Sequence, residues 1–410
     1  MDLKKKLAEV GIPLGEKADE DKLPYVHVVE GQVPYKSKHR VPSGETNDPK
    51  KGLHSDIYKI SEVQHHYKER PYTWWGPNPD EARAIKTKEN KFLYDKRMTQ
   101  SEAVKKYIKP GINLGVAGFV NTRCPFSIVW TIVKEALCNK TIQATDLTLS
   151  FQSQSLCVEW LLGAMLLDSS RVEVKRVELA WQAFEVIGSG PMWTHCVQSG
   201  MIEVDDYTNY GMSVRFKAAY MGIPYVPVRD HGGADFEVTN RGVMTKCPFT
   251  GRNVYVLPAC HPDVAIAHVT AADMYGNSRI FGQTLTCEEI LGAATVGIIT
   301  CEELISNDAI RNYPNLTLIP FLSVHAVSPQ KYGGYPGAVW GYHWFDMDFL
   351  REWRATGLEL RKAGNMDPLK KYYDKYFYNC DTWEDFLAVI GYKRLAQARE
   401  LERGQRVILD

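Results

Sequence analysis

The sequence lacks the features that would assign it to a membrane or secreted class. It contains no run of about 18 apolar residues, so no transmembrane helix is predicted. No apolar segment follows the basic residues at its start, so no secretory signal is predicted. Basic and acidic residues number 49 each, and the zero net charge gives no indication of a nucleic-acid partner. We therefore expect a cytoplasmic protein that binds neither membranes nor nucleic acids.

Paired cysteines are also absent. None of the nine cysteines belongs to a Cys-x-x-Cys pair, and their number is odd. A disulfide framework is therefore not expected, and reduced thiols are the simpler interpretation. Cys260 and His261 are adjacent, but no further ligand follows at a metal-binding spacing. We predict an ordinary loop there and no metal site.

Common catalytic signatures are missing as well. The chain has no Gly-x-Gly-x-x-Gly after a strand, no Walker loop, no His-Glu-x-x-His and no Gly-x-Ser-x-Gly elbow. Glu178 and Glu185 lie on or after a predicted strand without an obvious partner. The pair Glu302–Glu303 is predicted to open a helix, where carboxylates stabilise the positive end of the dipole. The sequence therefore indicates no general base and no nucleophile. This is expected if the chain supplies only half of an active site.

What is present divides into two parts. Residues 1–94 are rich in proline, glycine and mixed charge, with isolated aromatic residues and little periodicity. We interpret them as an N-terminal extension, an extended arm laid over its own or a neighbouring subunit. The alternative is a poorly ordered tail. Residues 95–410 have regular hydrophobic periods and are predicted to form the main domain.

Strands alternate with helices in this main domain. Thr99 and Glu102 have the spacing of a capping box at the start of a helix. The segment Ile112–Gly118 is typical of a buried strand, and Pro125 suits the first turn of the helix that follows. The alternation continues along the chain and ends in a largely helical segment, 346–408. The pattern predicts an α/β fold, with a mostly parallel sheet flanked by helices.

Four loops after predicted strands carry residues suited to ligand binding. Glycine permits close approach to the backbone, amides at a helix start can hold an anion, and Gln and Ser offer donors. Because parallel strands end at one edge of a sheet, we expect these loops to cluster there; the alternative for each is a structural turn. The candidate substrate-binding residues are Gly118, Phe119, Val120 and Asn121, then Gln152, Ser153 and Gln154, then Ser189 and Gly190, then Gly232 and Gly233.

Several segments, taken in order, resemble a known family. They are MTQSEAVKKYIKPGINLGVAGFVNTRCPFSIV, YMGIPYVPVR, PDVAIAHVTAADMYGNSRIFG, IITCEELISNDAIR and YYDKYFYNCDTWEDFLAVIGYKRL. In these segments the chain resembles the alpha (A) subunits of family I CoA-transferases, and most closely that of glutaconate CoA-transferase. The resemblance implies the NagB/RpiA/CoA-transferase-like fold for the main domain.

The resemblance also implies an activity shared between two chains. Family members transfer CoA from an acyl-CoA to a free carboxylic acid through a glutamate that attacks the thioester. In two-subunit members this glutamate lies in a Glu-Asn-Gly motif of the beta (B) chain, and the present sequence contains no such motif. The expectations are a beta-subunit partner in a hetero-oligomer of α2β2 or larger, coenzyme A as a substrate, and no permanently bound cofactor. Ser189 occupies the place of the active-site serine of the family's alpha subunits, and the loop at Gly118 and Phe119 would lie near the acyl group.

The sequence departs from the family pattern at two loops. Ala117 stands where the family usually has a second glycine, and larger side chains at 152–154 replace a Gly-Ala-rich stretch. A different acyl group is therefore expected to fit. One alternative function is a subunit of a related ring-cleaving acyl-CoA hydrolase that uses an alpha-chain glutamate, although no glutamate follows Tyr207 here. The other is a non-catalytic scaffold subunit that binds acyl-CoA.

Overall fold

The computed structural model describes residues 86, 88, 90, 92–154, 156–184, 187–231 and 240–409. The arm predicted at residues 1–94 therefore lies almost wholly outside the described residues. Glu185 and the fourth predicted loop, at Gly232 and Gly233, lie outside them too. Within the described ranges, every helix is too short or too polar to cross a membrane.

Two sheets form the framework of the described chain. Their strands are β1 (Asn113–Val116), β2 (Phe119–Val120), β3 (Ala144–Gln154), β4 (Val172–Gln182), β5 (Glu203–Asp206), β6 (Tyr225–Val228), β7 (Val243–Lys246), β8 (Asn253–Pro258), β9 (Val264–Ala272), β10 (Ser278–Arg279), β11 (Val296–Leu304) and β12 (Ala326–Pro329). The main sheet has the order β12-β11-β9-β1-β3-β4-β5, and all of these neighbours are parallel. The shorter sheet, β6-β8-β7, is antiparallel.

Helices cover both faces of the main sheet. The described helices are α1 (Gln100–Tyr107), α2 (Phe126–Val133), α3 (Leu156–Leu167), α4 (Pro191–Gln198), α5 (Asn209–Met221), α6 (Cys287–Ala293), α7 (Asn307–Asn312), α8 (Met347–Ala363), α9 (Asp367–Tyr373), α10 (Trp383–Ile390) and α11 (Tyr392–Leu409). Apolar residues of α2, α3, α8 and α9 fill one hydrophobic cluster, and those of α5 and α6 contribute to a second cluster. The predicted α/β fold with a mostly parallel sheet is confirmed.

Strand β9 shows that the main sheet is buried on both faces. All nine residues of β9 are buried, and β9 lies between β11 and β1. A strand covered on both faces by helices has no solvent side, so its sequence is almost continuously apolar rather than alternating. The run VAIAHVTAA fits this requirement, with His268 and Thr270 as its polar members.

Local signals at the first helices agree with the prediction to within one residue. The Thr99 hydroxyl accepts from the Glu102 amide at 3.2 Å, and a Glu102 carboxylate oxygen accepts from the Thr99 amide at 2.8 Å. The predicted capping box is therefore confirmed. Pro125 occupies the N-cap position immediately before α2 instead of its first turn.

The prediction for Glu302–Glu303 is wrong. Both residues lie in β11 and do not open a helix. The parallel ladder between β11 and β9 continues to Leu304, and this pairing outweighs the local preference of glutamate for a helix start. Helix α7 begins later, after Ser306, whose hydroxyl accepts from the Ala309 amide at 3.2 Å.

Candidate functional site

The loops that follow β1, β3 and β4 lie at one edge of the main sheet. These three strands are parallel neighbours, so their carboxyl ends point the same way. Strand β2 joins the first two loops directly, because Phe119 pairs with Ser153 and Val120 with Gln154. We call this edge, with residues 117–124, 152–154 and 188–190, the rim. It corresponds to the first three loops predicted from the sequence, but the second prediction is wrong in one respect, because residues 152–154 are the end of strand β3 and not a loop.

Gly118 opens a tightly folded first loop. Its φ is +102°, and a Cβ there would lie 2.9 Å from the Arg123 carbonyl oxygen, so both backbone conformation and space require glycine. Phe119 and Thr122 exchange backbone hydrogen bonds of 2.9 and 2.8 Å, and the Arg123 amide donates to the Ala338 carbonyl at 2.8 Å. These amides are used inside the fold and are not available to an acyl oxygen. Asn121 is buried and does not form an exposed tip.

The second loop is fixed by side-chain amide and hydroxyl groups. Gln154 is fully buried, and its Nε2 donates to the carbonyls of Val116 and Ala117 at 3.2 and 3.0 Å. The Ser153 hydroxyl donates to the Asn209 side chain at 2.8 Å, at the start of α5. Gln152 is less buried, and its side chain reaches the Asn209 carbonyl at 3.3 Å. Of these three candidates, Gln152 is therefore the most open to a ligand.

The third loop presents a serine at the surface. Ser189 is exposed, and its Oγ accepts a long hydrogen bond of 3.4 Å from the Thr194 hydroxyl. Gly188 before it has φ +93°. Gly190 after it is buried, and a Cβ there would lie only 2.2 Å from Oε1 of Glu159. The two glycines thus let the backbone turn closely over a buried carboxyl group.

That buried carboxyl group was missed by the sequence reasoning. Glu159 accepts hydrogen bonds from the amides of Trp193 (2.6 Å) and Met192 (3.0 Å) at the start of α4, and from the Trp353 indole (2.9 Å). Burial raises the pKa of Glu159 to about 7, although these hydrogen bonds oppose the rise. A lone carboxylate within the apolar run of α3 was the available signal.

The approach to the fourth predicted loop follows a strand of the other sheet. β6 belongs to the antiparallel sheet, so the argument from parallel strand ends does not apply to it. Asp230 nevertheless lies against the start of α5, where it accepts from the Thr208 hydroxyl, and its Oδ1 is 2.9 Å from His231 Nδ1. The chain therefore enters this loop beside the helix that follows β5.

Glu178, which lacked an obvious partner in the sequence, has one in the structure. Its carboxylate is 2.9 Å from Nη2 of Arg215, and both side chains are fully buried. On the adjacent strand, the Asp205 carboxylate lies 2.7 Å from Arg241. Burial acts to raise the pKa of Asp205, but this arginine and its neighbours outweigh burial and lower it. Arg215 lies on α5 and Arg241 lies just before β7, so both pairs join segments that are distant in sequence, and sequence spacing does not indicate them.

Glu302 is also internally paired. Its Oε1 lies 3.0 Å from Nε2 of His268 and 3.6 Å from Nε2 of His343, and its Oε2 accepts from the Tyr332 amide at 2.9 Å. Burial favours the neutral acid, but the two histidines outweigh it and lower the pKa of Glu302 to about 2. The structural role expected for Glu302 therefore rests on these histidines rather than on a helix dipole.

The four buried carboxylates described above are paired within this chain. Glu159, Glu178, Asp205 and Glu302 are each buried against donors of this chain. None of these carboxylates is presented to a thioester carbon as a nucleophile would be. Within the residues that the structure describes, no group of three or more His, Cys, Asp or Glu side chains is arranged to hold a metal ion.

Comparison with known proteins assigns the family. The model of the family described as Coenzyme A transferase matches residues 97–330, which include all the rim loops. The chain belongs to this coenzyme A transferase family. It is therefore a member of an enzyme family, and the resemblance found in the sequence is confirmed.

Three relatives support the assignment. An uncharacterized protein of Archaeoglobus fulgidus is 32% identical over 82% of this chain and 71% of its own length. The alpha subunit of glutaconate CoA-transferase from Acidaminococcus fermentans is 28% identical over 62% of this chain and 81% of its own length. The solved glutaconate coenzyme A-transferase structure from the same organism superimposes with a TM-score of 0.64 at 25% identity, covering 74% of this chain and 95% of that one. The chain thus has alpha-subunit relatives.

Proposed function

We propose that this coenzyme A transferase chain is the alpha subunit of a two-subunit enzyme that moves CoA between an acyl-CoA and a free carboxylic acid. The nucleophilic glutamate is supplied by a beta subunit, in a cytoplasmic hetero-oligomer of α2β2 or larger. Coenzyme A is a substrate, and no cofactor is permanently bound. Residues 95–410 form the transferase domain, and residues 1–94 form an extension.

The observation that carries this proposal is the internal pairing of the buried carboxylates of the described chain. Glu159 accepts three N–H groups, and Glu302 and Glu178 face histidines and an arginine. A nucleophilic carboxylate must instead be free to attack the thioester carbon and carry the acyl group and then CoA. The loops supply polarity and shape, and the reactive group comes from outside this chain.

The substrate-contacting residues of the proposed site are those of the rim. Gln152 and Ser189 offer the most open polar groups, and Gly118 and Gly190 let the backbone beside them fold closely against Arg123 and Glu159 of the same chain. Phe119, Val120, Asn121, Ser153 and Gln154 shape the wall behind them, and Gly232 and Gly233 complete the proposed set.

Exposed aromatic side chains beside the rim support a partner chain there. Trp181 lies at the end of β4, and Tyr210 lies in the first turn of α5 with 59% of its surface exposed. Aromatic residues are enriched in the cores of protein–protein interfaces. A beta subunit seated on this side would cover them and bring its glutamate to the loops.

Co-purification with the adjacent gene's product and an assay of CoA exchange test the proposal. We expect transfer between an acyl-CoA and a free acid, with an enzyme-bound thioester trapped by hydroxylamine or borohydride on the partner and not on this chain. A matched complex whose partner carries Gln in place of its glutamate should lose transfer. Turnover of a thioester by this chain alone, or release of an opened acyl-CoA without an acceptor acid, would contradict the proposal.

A further inference from the structure

Helix α8 is fixed against the loop that carries Ser189. The Trp353 indole donates to Glu159, which also holds the first amides of α4. A Cβ on Gly357 would lie 2.3 Å from Pro191, so the two helices are in close contact at the first residue of α4. The side chain between these two positions on α8, Arg354, is therefore held beside the rim.

The Arg354 guanidinium reaches the turn before Ser189. Its Nη2 lies 3.7 Å from the position that a Cβ of Gly188 would occupy. The side chain is half-buried, and its Nε is a buried donor without a hydrogen-bond partner. Within the described residues, Arg354 forms no ion pair.

Two of the other charged groups on α8 that are near Arg354 in sequence are paired. Arg351 lies 3.1 Å from Asp348, and Glu352 is 3.1 Å from Lys375. A buried Nε–H without an acceptor is unfavourable, because it loses water and gains no hydrogen bond in exchange. Arg354 therefore combines a buried donor that lacks a partner with a planar fork that matches the two oxygens of a carboxylate.

We propose that Arg354 binds a carboxylate of the acid substrate beside Ser189. This inference rests on the proposed transferase function, since the acid is that function's acceptor. The carboxylate is either the one that receives CoA or a second one at the far end of a dicarboxylic acid. In both cases a carboxylate lies on the Arg354 guanidinium, and a comparison of dicarboxylic with monocarboxylic acids distinguishes them.

The test measures KM for acids in the assembled enzyme with acetyl-CoA as the fixed donor. Arg354→Gln should raise KM for the acid roughly 10- to 100-fold, the usual effect of losing a charge-assisted pair. If KM rises for glutarate but not for butyrate, Arg354 binds the second carboxylate of a dicarboxylic acid. If KM rises for both acids, Arg354 binds the carboxylate that receives CoA. Arg351→Gln, one turn earlier on the same helix, is the matched control and should change neither. Arg354→Lys should recover part of the affinity, since it keeps the charge but loses the fork.

Three results would overturn the inference. One is an unchanged KM for every acid in Arg354→Gln. A second is a rise in KM for acetyl-CoA alone, which would assign Arg354 to a CoA phosphate. The third is dissociation of the complex, which would assign Arg354 to the partner chain.

Binding without turnover separates this inference from the proposed function. The thermal midpoint of the complex is measured with glutarate or butyrate and without CoA, since a bound ligand raises it. A shift in the wild type that is lost in Arg354→Gln and kept in Arg351→Gln supports the inference even if no CoA is transferred. No shift in the wild type with either acid overturns it.

Discussion

Two buried carboxyl groups of this chain have opposite acid–base behaviour, and their neighbours explain the difference. Burial raises the pKa of Glu159 to about 7, and the hydrogen bonds from three N–H groups only partly oppose this rise. Glu302 is also buried, but two histidines stabilise its charged form and its pKa falls to about 2. Burial accounts for the direction of the shift at Glu159 but not at Glu302, where the hydrogen bonds and electrostatic interactions with the two histidines outweigh it.

Glu302 gives a prediction at the scale of one residue. The pKa of Glu302 in the folded protein lies below the unfolded value of about 4.3. The contribution of Glu302 to the free energy of unfolding is therefore fully present at neutral pH and is lost as the pH falls from about 5 to about 2. Glu302→Gln should lower the free energy of unfolding by roughly 3 kcal/mol at pH 7. The loss should fall to about half of this value near pH 3 and approach zero only below about pH 2, as followed by urea unfolding of the assembled protein.

Glu303→Gln is the matched control for this prediction. Glu303 is the next residue of the same strand, and it is exposed. Its substitution should change the unfolding free energy by no more than about 0.5 kcal/mol at either pH. An equal loss for Glu302→Gln at pH 7 and pH 3 would show that its charge does not stabilise the fold.

At the scale of elements, the sequence predicts most strands and helices but not the contacts between them. The buried strand predicted in Ile112–Gly118 and the capping box of α1 rest on local signals, and both are confirmed, the strand as β1. The helix predicted at Glu302–Glu303 is wrong because pairing of β11 with β9, which is distant in sequence, determines that segment. Local preference is a weak guide where a ladder to another strand competes with it.

The same distinction applies to the candidate site. The rim loops could be predicted because parallel strands end at one edge, a rule that needs only strand positions. The partners of Glu178 and Glu159 could not be predicted. Arg215 lies on α5 and Trp353 lies on α8, and both helices are distant in sequence from the carboxylates that they contact. Asn121 shows the reverse error, since a polar residue in a loop is expected at the surface and this one is buried.

The junction of α3 and α4 gives a prediction at this scale. Gly190→Ala would bring a Cβ to 2.2 Å from Oε1 of Glu159, so the loop or the buried carboxyl group must move. We expect a loss of about 2 kcal/mol in the free energy of unfolding, together with slower CoA transfer. Urea unfolding and CoA-exchange kinetics of the same purified complex measure the two effects.

Gly404→Ala serves as the comparison. Gly404 lies in helix α11, and no atom stands within 4 Å of the position its Cβ would take. Alanine in a helix interior is favoured over glycine by about 0.5–1 kcal/mol, so this variant should be neutral or slightly more stable, with normal transfer. If both variants behaved alike, the close contact between Gly190 and Glu159 would have no energetic consequence.

At the scale of the whole molecule, the described part of the N-terminal region is joined to the core. Lys96 and Met98 exchange backbone hydrogen bonds of 2.9 and 3.1 Å with Val327 of β12. Before them, the Asn90 side chain donates to the carbonyls of Leu322 and Val324 at 3.1 and 3.0 Å. The region next to the predicted boundary at residue 94 therefore shares hydrogen bonds with the edge of the sheet.

Two truncations separate the extension from these contacts. Removing residues 1–94 deletes Asn90 and also Lys86, whose ammonium group donates to the Leu291 and Gly292 carbonyls at the end of α6. Removing residues 1–85 keeps both. We expect the longer deletion to cost about 2–4 kcal/mol more in the free energy of unfolding, because buried carbonyls lose their donors.

The shorter deletion should mainly weaken assembly with the partner, as measured by light scattering across a dilution series. Equal stability of the two truncated proteins would show that residues 86–94 do not stabilise the core, and unchanged assembly of the shorter deletion would remove the reason to regard residues 1–85 as an interface arm.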